Sequence, residues 1–410
     1  VHTYSENGYL GTTDIVETDI DFVGKPLTVR SAHTRDGSTT VTIDNFEYDH
    51  VGRLLKQTQC IGDGSLGYDC EALEVETNAT LGDDTITTGK TATQSITVVP
   101  GATGSTTLSG TLTLKVDPNA NSGGGTGIDE ELIVYNKYDD LGQLVEKKVG
   151  GTPDTSYDLT EGLQTVDYTY NVRGWLTDIN DVDDKGDDLF AFQLHYNAPT
   201  HSSAVPLYNG NISQSNWSTG NSDGSKYWYI YHYDALNRIN EAQFAGGGFW
   251  DRYSLENVTY DKNGNIGTLV RKGHITADPE MANASDFGTM DNLFYSYSGN
   301  SLTIVDDRNV TEQYGFKDDE PGSTIDNSVD YQYDGNGNMT SDTNKGITSI
   351  SYNHMNLPTN IVTDSGDISY VYDALGTKLE KEVSGGSSVT QYAGNYVYSG
   401  PSGSETLQFM

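Results

Sequence analysis

Acidic residues are the most abundant groups in this chain that could do chemistry, and one dense run of them could bind calcium. The run at 178–188 is rich in aspartates, whose carboxylate oxygens are ligands that calcium prefers. Read as a calcium loop that begins at Asp181, it places Lys185 at a ligand position and has no Glu six residues after Gly186. A solvated acidic loop is therefore the favoured interpretation, and we predict no metal site.

Patterns typical of catalysis are missing from the sequence. The 8 His are dispersed, and His232 lies between Tyr231 and Tyr233, so in a strand it points to the face opposite theirs. The glycines at 246–248 lack the Lys and Ser or Thr of a phosphate-binding loop. A glycosidase hypothesis would depend only on the chance proximity of two carboxylates, because carboxylates are abundant in this chain. We predict no catalytic residue, no cofactor and no enzyme activity.

The two cysteines, Cys60 and Cys70, are separated by a glycine-rich stretch that could close into a small disulfide ring. The ring contains no His, and two thiolates do not complete a metal coordination shell. A disulfide on a loop outside the main sheet structure is the favoured interpretation, and it would indicate an oxidising compartment. Two unrelated free thiols are the alternative.

Composition excludes several classes of function. The chain of 410 residues has 23 Lys and Arg against 59 Asp and Glu, a formal net charge of −36. Nucleic-acid binding needs clustered cations, so we predict no nucleic-acid partner. No apolar run approaches the ~18 residues of a membrane-spanning helix, so we predict no membrane insertion. The 28 Tyr argue against a disordered, solvated chain.

One pattern recurs along the chain: an aromatic or apolar residue, any residue, Tyr, Asp or Asn, turn residues with Gly or Asn, and an apolar residue. Its Tyr and Asp or Asn are Tyr48-Asp49, Tyr138-Asp139, Tyr170-Asn171, Tyr233-Asp234, Tyr260-Asp261, Tyr333-Asp334, Tyr352-Asn353 and Tyr372-Asp373. The stretches 194–197 and 295–298 are degenerate copies. Neighbouring copies near the end of the chain are 19 to 20 residues apart, enough for two strands and two turns.

The pattern predicts a β-hairpin at each copy. Aromatic residues at alternate positions lie on one face of a strand, and Tyr suits a half-buried sheet. Asp or Asn after the Tyr can hydrogen-bond to the backbone two residues on, and the following Gly or Asn supplies a positive φ. We therefore predict an all-β fold of repeated antiparallel hairpins that form a curled sheet or spiral shell, with a small β appendage.

These residues resemble the YD repeats of RHS-repeat proteins. The Tyr-Asp-x-x-Gly-Arg-Leu form at 48–54 and the Tyr-Asp-Gly-Asn-Gly-Asn-Met form at 333–339 are both characteristic, and 166–180 is similar to versions common in Bacteroidota. The resemblance covers 46–398 apart from one insertion. It implies hairpins that spiral into a hollow shell, which in that family commonly encloses a C-terminal toxin. Related shells occur in the teneurin adhesion receptors.

The sequence departs from that family in lacking its D-H-L-G-N-V/I-R core segment and its D-P-x-G autoproteolysis site. The stretch 392–400 resembles the residues that usually precede the core, so we expect the sequence to be cut just before it. The departure gives no basis for a self-cleaving protease or a toxin activity in these residues.

We predict three parts: 1–70 with the first strands and the first YD repeat, 71–129 as an inserted Thr- and Gly-rich β appendage, and 130–410 as the YD-repeat segment. In the insertion, alternating residues at 85–87, 94–99 and 111–116 predict strands. A disordered Thr-rich loop is the alternative for 71–129, and glycan attachment to its threonines is open.

The leading functional hypothesis is a non-enzymatic structural segment, part of an encapsulating shell, in a secreted or cell-surface protein. The expected partner is the remainder of the same polypeptide, with its core and cargo, or another chain that covers the open sheet edges. The alternative is an extracellular adhesion or carbohydrate-binding module that uses exposed Tyr and Trp. An enzyme hidden in an acidic cleft is the third hypothesis.

Overall fold

The computed structural model describes residues 1–67, 70, 75–81, 90–98, 114–116, 130–151, 162–220, 225–309, 314–320, 325, 327–384 and 388–409. The chain divides into two compact units, Val1–Asp167 and Tyr168–Met410.

The first unit is built from antiparallel strands that follow one another in the sheet almost in chain order. Its strands are β1 (His2–Asn7), β2 (Thr12–Ile20), β3 (Pro26–Arg35), β4 (Ser38–Tyr48), β5 (Leu54–Asp63), β6 (Val75–Leu81), β7 (Lys90–Val98), β8 (Leu114–Val116), β9 (Glu131–Tyr138), β10 (Leu144–Val149) and the start of β11 (Gln164–Tyr170). The sheet runs β1–β2–β3–β4–β5–β9–β10–β11. Strand β5 pairs directly with β9, Gln59 opposite Glu131, so the hairpins on either side of the insertion are neighbours.

The strands of the insertion form a sheet of their own. Strands β6, β7 and β8 pair in parallel, β7 lying in the middle. Strands β7 and β8 overlap the stretches 94–99 and 111–116 where the sequence predicts strands, whereas the stretch 85–87 lies outside the described residues. Most other residues of the predicted appendage, 71–129, also lie outside the described residues.

Deleting 71–129 and joining its ends with a short Gly and Ser linker should leave the rest of the chain folded. The β5–β9 ladder already brings the flanking hairpins together without the inserted strands, and a flexible linker adds little closure entropy. Circular dichroism and a thermal melt of the deletion variant would check this. An aggregated product or the loss of a cooperative transition would contradict it.

The second unit is also made of antiparallel strands joined in chain order. Its strands after β11 are β12 (Leu176–Ile179), β13 (Phe190–His195), β14 (Gln214–Thr219), β15 (Tyr227–Tyr233), β16 (Ile239–Gly246), β17 (Phe249–Trp250), β18 (Leu255–Tyr260), β19 (Ile266–His274), β20 (Phe287–Ser298), β21 (Ser301–Asp307), β22 (Tyr331–Tyr333), β23 (Met339–Asp342), β24 (Ile347–Tyr352), β25 (Pro358–Thr363), β26 (Ile368–Tyr372), β27 (Lys378–Val383), β28 (Ser388–Ala393), β29 (Tyr396–Gly400) and β30 (Thr406–Phe409). Strands β11–β21 form one sheet and β22–β30 another.

Each unit has a small apolar core. In the first, Val41 and Ile43 of β4 are fully buried beside Cys60 and Cys70. In the second, Leu293 and Val305 pack with Tyr331 of the following sheet. The prediction of an all-β fold of repeated antiparallel hairpins is confirmed. In the described part of the chain the helical residues are two short 3-10 turns, Ala284–Asp286 and Thr343–Lys345, and no described helix is long and apolar enough to cross a membrane.

Candidate functional site: the YD turns and their links between hairpins

The Asp or Asn of each YD copy holds a turn with the same hydrogen bonds. In the turn of Asp334, the Oδ1 atom accepts hydrogen bonds from the backbone N–H groups of Asn336 and Asn338, both at 2.9 Å. The N–H of Asp334 donates to the carbonyl of Asn338, and Gly337 N–H donates back to the Asp334 carbonyl. The carboxylate therefore satisfies backbone donors that the turn removes from the sheet ladder.

The residue three positions after the Asp or Asn has a positive φ in every copy, which explains the Gly or Asn found there. Gly337 has φ 86°, and the non-glycine cases Asn237 and Asn356 have φ 63° and 59°. The same turn occurs at the starting residues Asp49, Asp139, Asn171, Asp234, Asp261, Asp334, Asn353 and Asp373.

Sequence reasoning missed one further copy, which begins at Asp21. Its Oδ1 accepts hydrogen bonds from the N–H groups of Val23 and Lys25, and Gly24 has φ 89°. Ile20 stands where the other copies have Tyr, so the tyrosine pattern does not detect it. The sequence did carry a signal, because Val23-Gly24-Lys25 follows Asp21 at the same spacing as the Val-Gly-Arg of the copy at 49–53.

In several copies, a tyrosine hydroxyl links the hairpin to the one before it. Tyr352 donates to the carbonyl of Met339, the first residue of β23, at 2.6 Å. Equivalent bonds of 2.7 to 3.0 Å join Tyr138 to Leu54, Tyr196 to Leu176, Tyr233 to Ile212, Tyr260 to Ile239, and Tyr372 to Pro358. Tyr196 belongs to the degenerate copy at 194–197, which lacks the regular Asp turn of the other copies. Its hydroxyl nevertheless makes the same kind of bond.

The three remaining signature tyrosines have different surroundings. Tyr48 lies under the Lys25 ammonium group, which is 5.1 Å from the centre of its ring. Tyr170 is half-buried opposite Leu176 across its own hairpin. Tyr333 packs against the apolar core of the second unit, and its burial raises the pKa of the hydroxyl.

Side chains four residues after the Asp give a second link between neighbouring hairpins. The Nε of Arg238 donates to Asp234 at 2.7 Å, and its guanidinium lies 4.3 Å from the ring centre of Tyr260. Arg53 does the same between Asp49 and Tyr138, at 2.6 Å and 4.5 Å. Where Asn replaces Arg, as at Asn338, the amide donates to its own Asp334 and to Asn356 of the next turn.

Hydrogen bonds also favour the ionised form of the turn aspartates. Partial desolvation opposes ionisation of Asp49, but the hydrogen bonds from Arg53 and Val51 and the charge of Arg53 together lower its pKa to about 2. The hydrogen bonds from Asn338 lower the pKa of Asp334 in the same way. The pKa values of Asp234, Asp261 and Asp373 are also lowered by hydrogen bonds within their turns.

Replacing Asp334 with Ala should lower the midpoint of denaturation at pH 7, whereas Asn should retain most of it. Asn keeps the Oδ1 acceptor and already holds the same turn at Asn171 and Asn353. Because the folded pKa of Asp334 is lowered, the charge contributes stability above the unfolded pKa of about 4 and loses it as the pH falls below that value. Urea denaturation of D334A and D334N between pH 2 and pH 7 would show this. Equal midpoints for both variants would contradict it.

Cys60 and Cys70 form a disulfide with a Cα–Cα distance of 5.9 Å. The predicted location on an outside loop is wrong, because Cys60 lies in strand β5 and both residues are buried in the core of the first unit. A turn after β5, in which Leu66 N–H donates to the Asp63 carbonyl, precedes Leu66, which is also fully buried in the same core. Leu66 continues the core that Val41 and Ile43 begin.

Two lysines contact the acidic run at 178–188, one from within the run and one from outside it. Lys185 donates to the carbonyl oxygens of Gly186 and Asp188, and Lys226 forms an ion pair with Asp183. Within the described ranges, no group of three or more His, Cys, Asp or Glu side chains is placed to hold a metal ion. His232 lies in β15 opposite Glu241 of β16.

Similarity to known proteins is found among solved structures. No protein-family model matches the chain, and no curated protein matches it. Among solved structures, the chain is similar to the crystal structure of TcdB2-TccC3-Cdc42, with 12% identity and a TM-score of 0.39. The match covers 98% of this chain and 20% of that one, so the chain spans a fifth of that neighbour's length.

Proposed function

We propose that the chain is a non-enzymatic wall segment of an extracellular YD-repeat shell and contains no catalytic centre. The observation that carries the proposal is the hydroxyl bond from the Tyr of one hairpin to the start of the strand in the hairpin before it. Such bonds connect several neighbouring hairpins, which is what a repeat structure needs, because a single hairpin buries too little surface to be stable alone.

The proposed role is containment of a cargo supplied by the rest of the polypeptide. The resemblance to RHS-repeat proteins supports this, since shells of that family commonly enclose a C-terminal toxin. In the described part of the chain, β1 pairs only with β2 and β30 only with β29. Strand edges of that kind need covering, and the proposed cover is more of the same polypeptide or a second chain.

The proposed location is outside the cell or on its surface. The disulfide between Cys60 and Cys70 supports it, because such bonds persist mainly in oxidising compartments. The net charge of −36 favours solubility and disfavours contact with anionic surfaces.

Limited proteolysis of the full polypeptide that contains this sequence would test the containment role. We expect the segment after this chain to resist cleavage, and to become susceptible when the hydroxyl links are removed by replacing Tyr233, Tyr260, Tyr352 and Tyr372 with Phe. Tyr208→Phe is the matched control, because its side chain is 67% exposed. Equal cleavage of the following segment in all three proteins would overturn the proposal.

A further inference from the structure

An aromatic cleft lies on one face of the second unit. It has a volume of about 390 Å³ and is lined by Trp217, Tyr227, Tyr229, Phe244, Tyr253 and Met281. Three of these residues come from the adjacent strands β14 and β15, one from β16, and two from the segments that follow β17 and β19.

Strand register brings the rings together. Trp217 stands directly opposite Tyr227, and Tyr229 opposite Phe244, so all four lie on one sheet face. The ring centres of Trp217 and Tyr229 are 5.4 Å apart. Tyr253 stands perpendicular to Phe244, at 88° and 5.3 Å. Phe244 is 4% exposed and forms the floor, while Tyr253 forms a wall.

A glycine makes room for one of the rings. Gly246 is paired with Tyr227, and a Cβ atom at Gly246 would lie 2.2 Å from the Cδ1 atom of the Tyr227 ring. The ring of Tyr227 therefore lies against the backbone of β16. A side chain at position 246 would clash with the Tyr227 ring in this position.

The rings of the cleft differ from nine aromatic rings elsewhere in the protein. Elsewhere, Lys or Arg side chains lie 3.4 to 5.8 Å from the ring centres of Tyr48, Tyr138, Trp175, Phe249, Tyr260, Phe287, Phe294, Tyr370 and Tyr392. Among the residues that the structure describes, no Lys or Arg side chain lies over the five aromatic rings of the cleft. Arg252, next to Tyr253 in the chain, is placed over Phe249 and Phe287 instead.

The segment that supplies Met281 is acidic in sequence, and this favours a cationic ligand. The loop that supplies Met281 carries Asp278, Glu280 and Asp286, and the chain has no Lys or Arg between Lys272 and Arg308. The whole chain has a net charge of −36. A surface of one sign raises the local concentration of ligands of the other sign.

The polar side-chain groups of the cleft are three tyrosine hydroxyls and the Trp217 indole N–H. The lining contains no Asp, Glu, Asn or Gln side chain. The Tyr229 hydroxyl already donates to the carbonyl of Tyr253 at 2.8 Å, and burial raises its pKa to about 12, so it stays neutral. Aromatic faces with few hydrogen-bonding groups suit a cation whose charge is covered by methyl groups.

We propose that this cleft binds a quaternary or fully methylated ammonium group, held by cation–π contact with Trp217, Tyr227 and Tyr253. The binding site is independent of the wall function, because it needs only the β14–β16 face and the two flanking segments. The ligand chemistry is that of a choline-type head group or a methylated lysine.

A ligand-observed NMR titration with choline and with 3,3-dimethyl-1-butanol tests the proposal on the unmodified protein. The two molecules have nearly the same shape, and only choline is charged. We expect choline to bind at least about tenfold more tightly, because a desolvated cation gains from each ring face. Equal affinity would show a merely apolar cleft and would overturn the proposal, as would the absence of saturable choline binding.

A variant and a sugar complete the experiment. Tyr253→Leu should weaken choline binding at least about fivefold, whereas Tyr208→Leu, at an exposed position, should leave it unchanged. Equal weakening in both variants would contradict the assigned site. Cellobiose that binds in the cleft and displaces choline would overturn the proposal in favour of a carbohydrate site.

Discussion

Replacing Cys60 and Cys70 together with Ala should lower the free energy of unfolding by about 3 kcal/mol, the largest single effect that we expect in this chain. The disulfide closes a short ring, and cross-linking a ring of this size restricts the unfolded chain by about this amount. Both residues are buried against Val41 and Ile43, so the variant also loses packing at that place.

Chemical denaturation of the double variant and of the unmodified protein, with and without reductant, measures this effect. Gly64→Ala in the same ring is the matched control, because a Cβ atom there makes only ordinary contact with Thr39. Reduction of the unmodified protein should reproduce most of the loss. An unchanged denaturation midpoint after reduction would refute the stabilising role of the disulfide.

Removing four tyrosine hydroxyls from the second unit should lower its stability by about 2–4 kcal/mol in total. The replacements are Tyr196, Tyr233, Tyr352 and Tyr372 to Phe, and each removes one partly buried bond to a backbone carbonyl. A net loss of about 0.5–1 kcal/mol for each bond is typical, and distant sites add. Because Phe keeps the ring, the packing of the sheet should remain.

Urea denaturation of the four single variants and of the combined variant would show the sum, with Tyr208→Phe as the exposed control. If the free energies of unfolding of the single variants equal that of the unmodified protein within experimental error, the links between hairpins do not contribute to stability.

The hairpins could be predicted from the sequence because their determinants are local. An Asp or Asn acceptor and a residue with positive φ three positions later lie within one turn, so residue type and spacing report the structure directly. The copy at Asp21 was missed because the prediction relied on Tyr, whereas the turn itself depends on Asp21 and Gly24.

The links between hairpins and the aromatic cleft could not be predicted, because they depend on residues far apart in the chain. The carbonyl of Leu54 that accepts the Tyr138 hydroxyl bond lies across the insertion. Met281 joins Trp217 only through the path of the loop after β19. The disulfide was placed on a loop because the glycines between its cysteines indicated a flexible chain, although Cys60 lies in strand β5 and both cysteines are buried in the core.

Hydrogen exchange measured by mass spectrometry on Tyr233→Phe tests whether the tyrosine hydroxyl bonds hold neighbouring hairpins together. The Tyr233 hydroxyl bonds to Ile212, just before β14. We predict faster exchange in β14, β15 and β16, with unchanged exchange in β24–β29. Unchanged exchange in β14–β16 would contradict the claim.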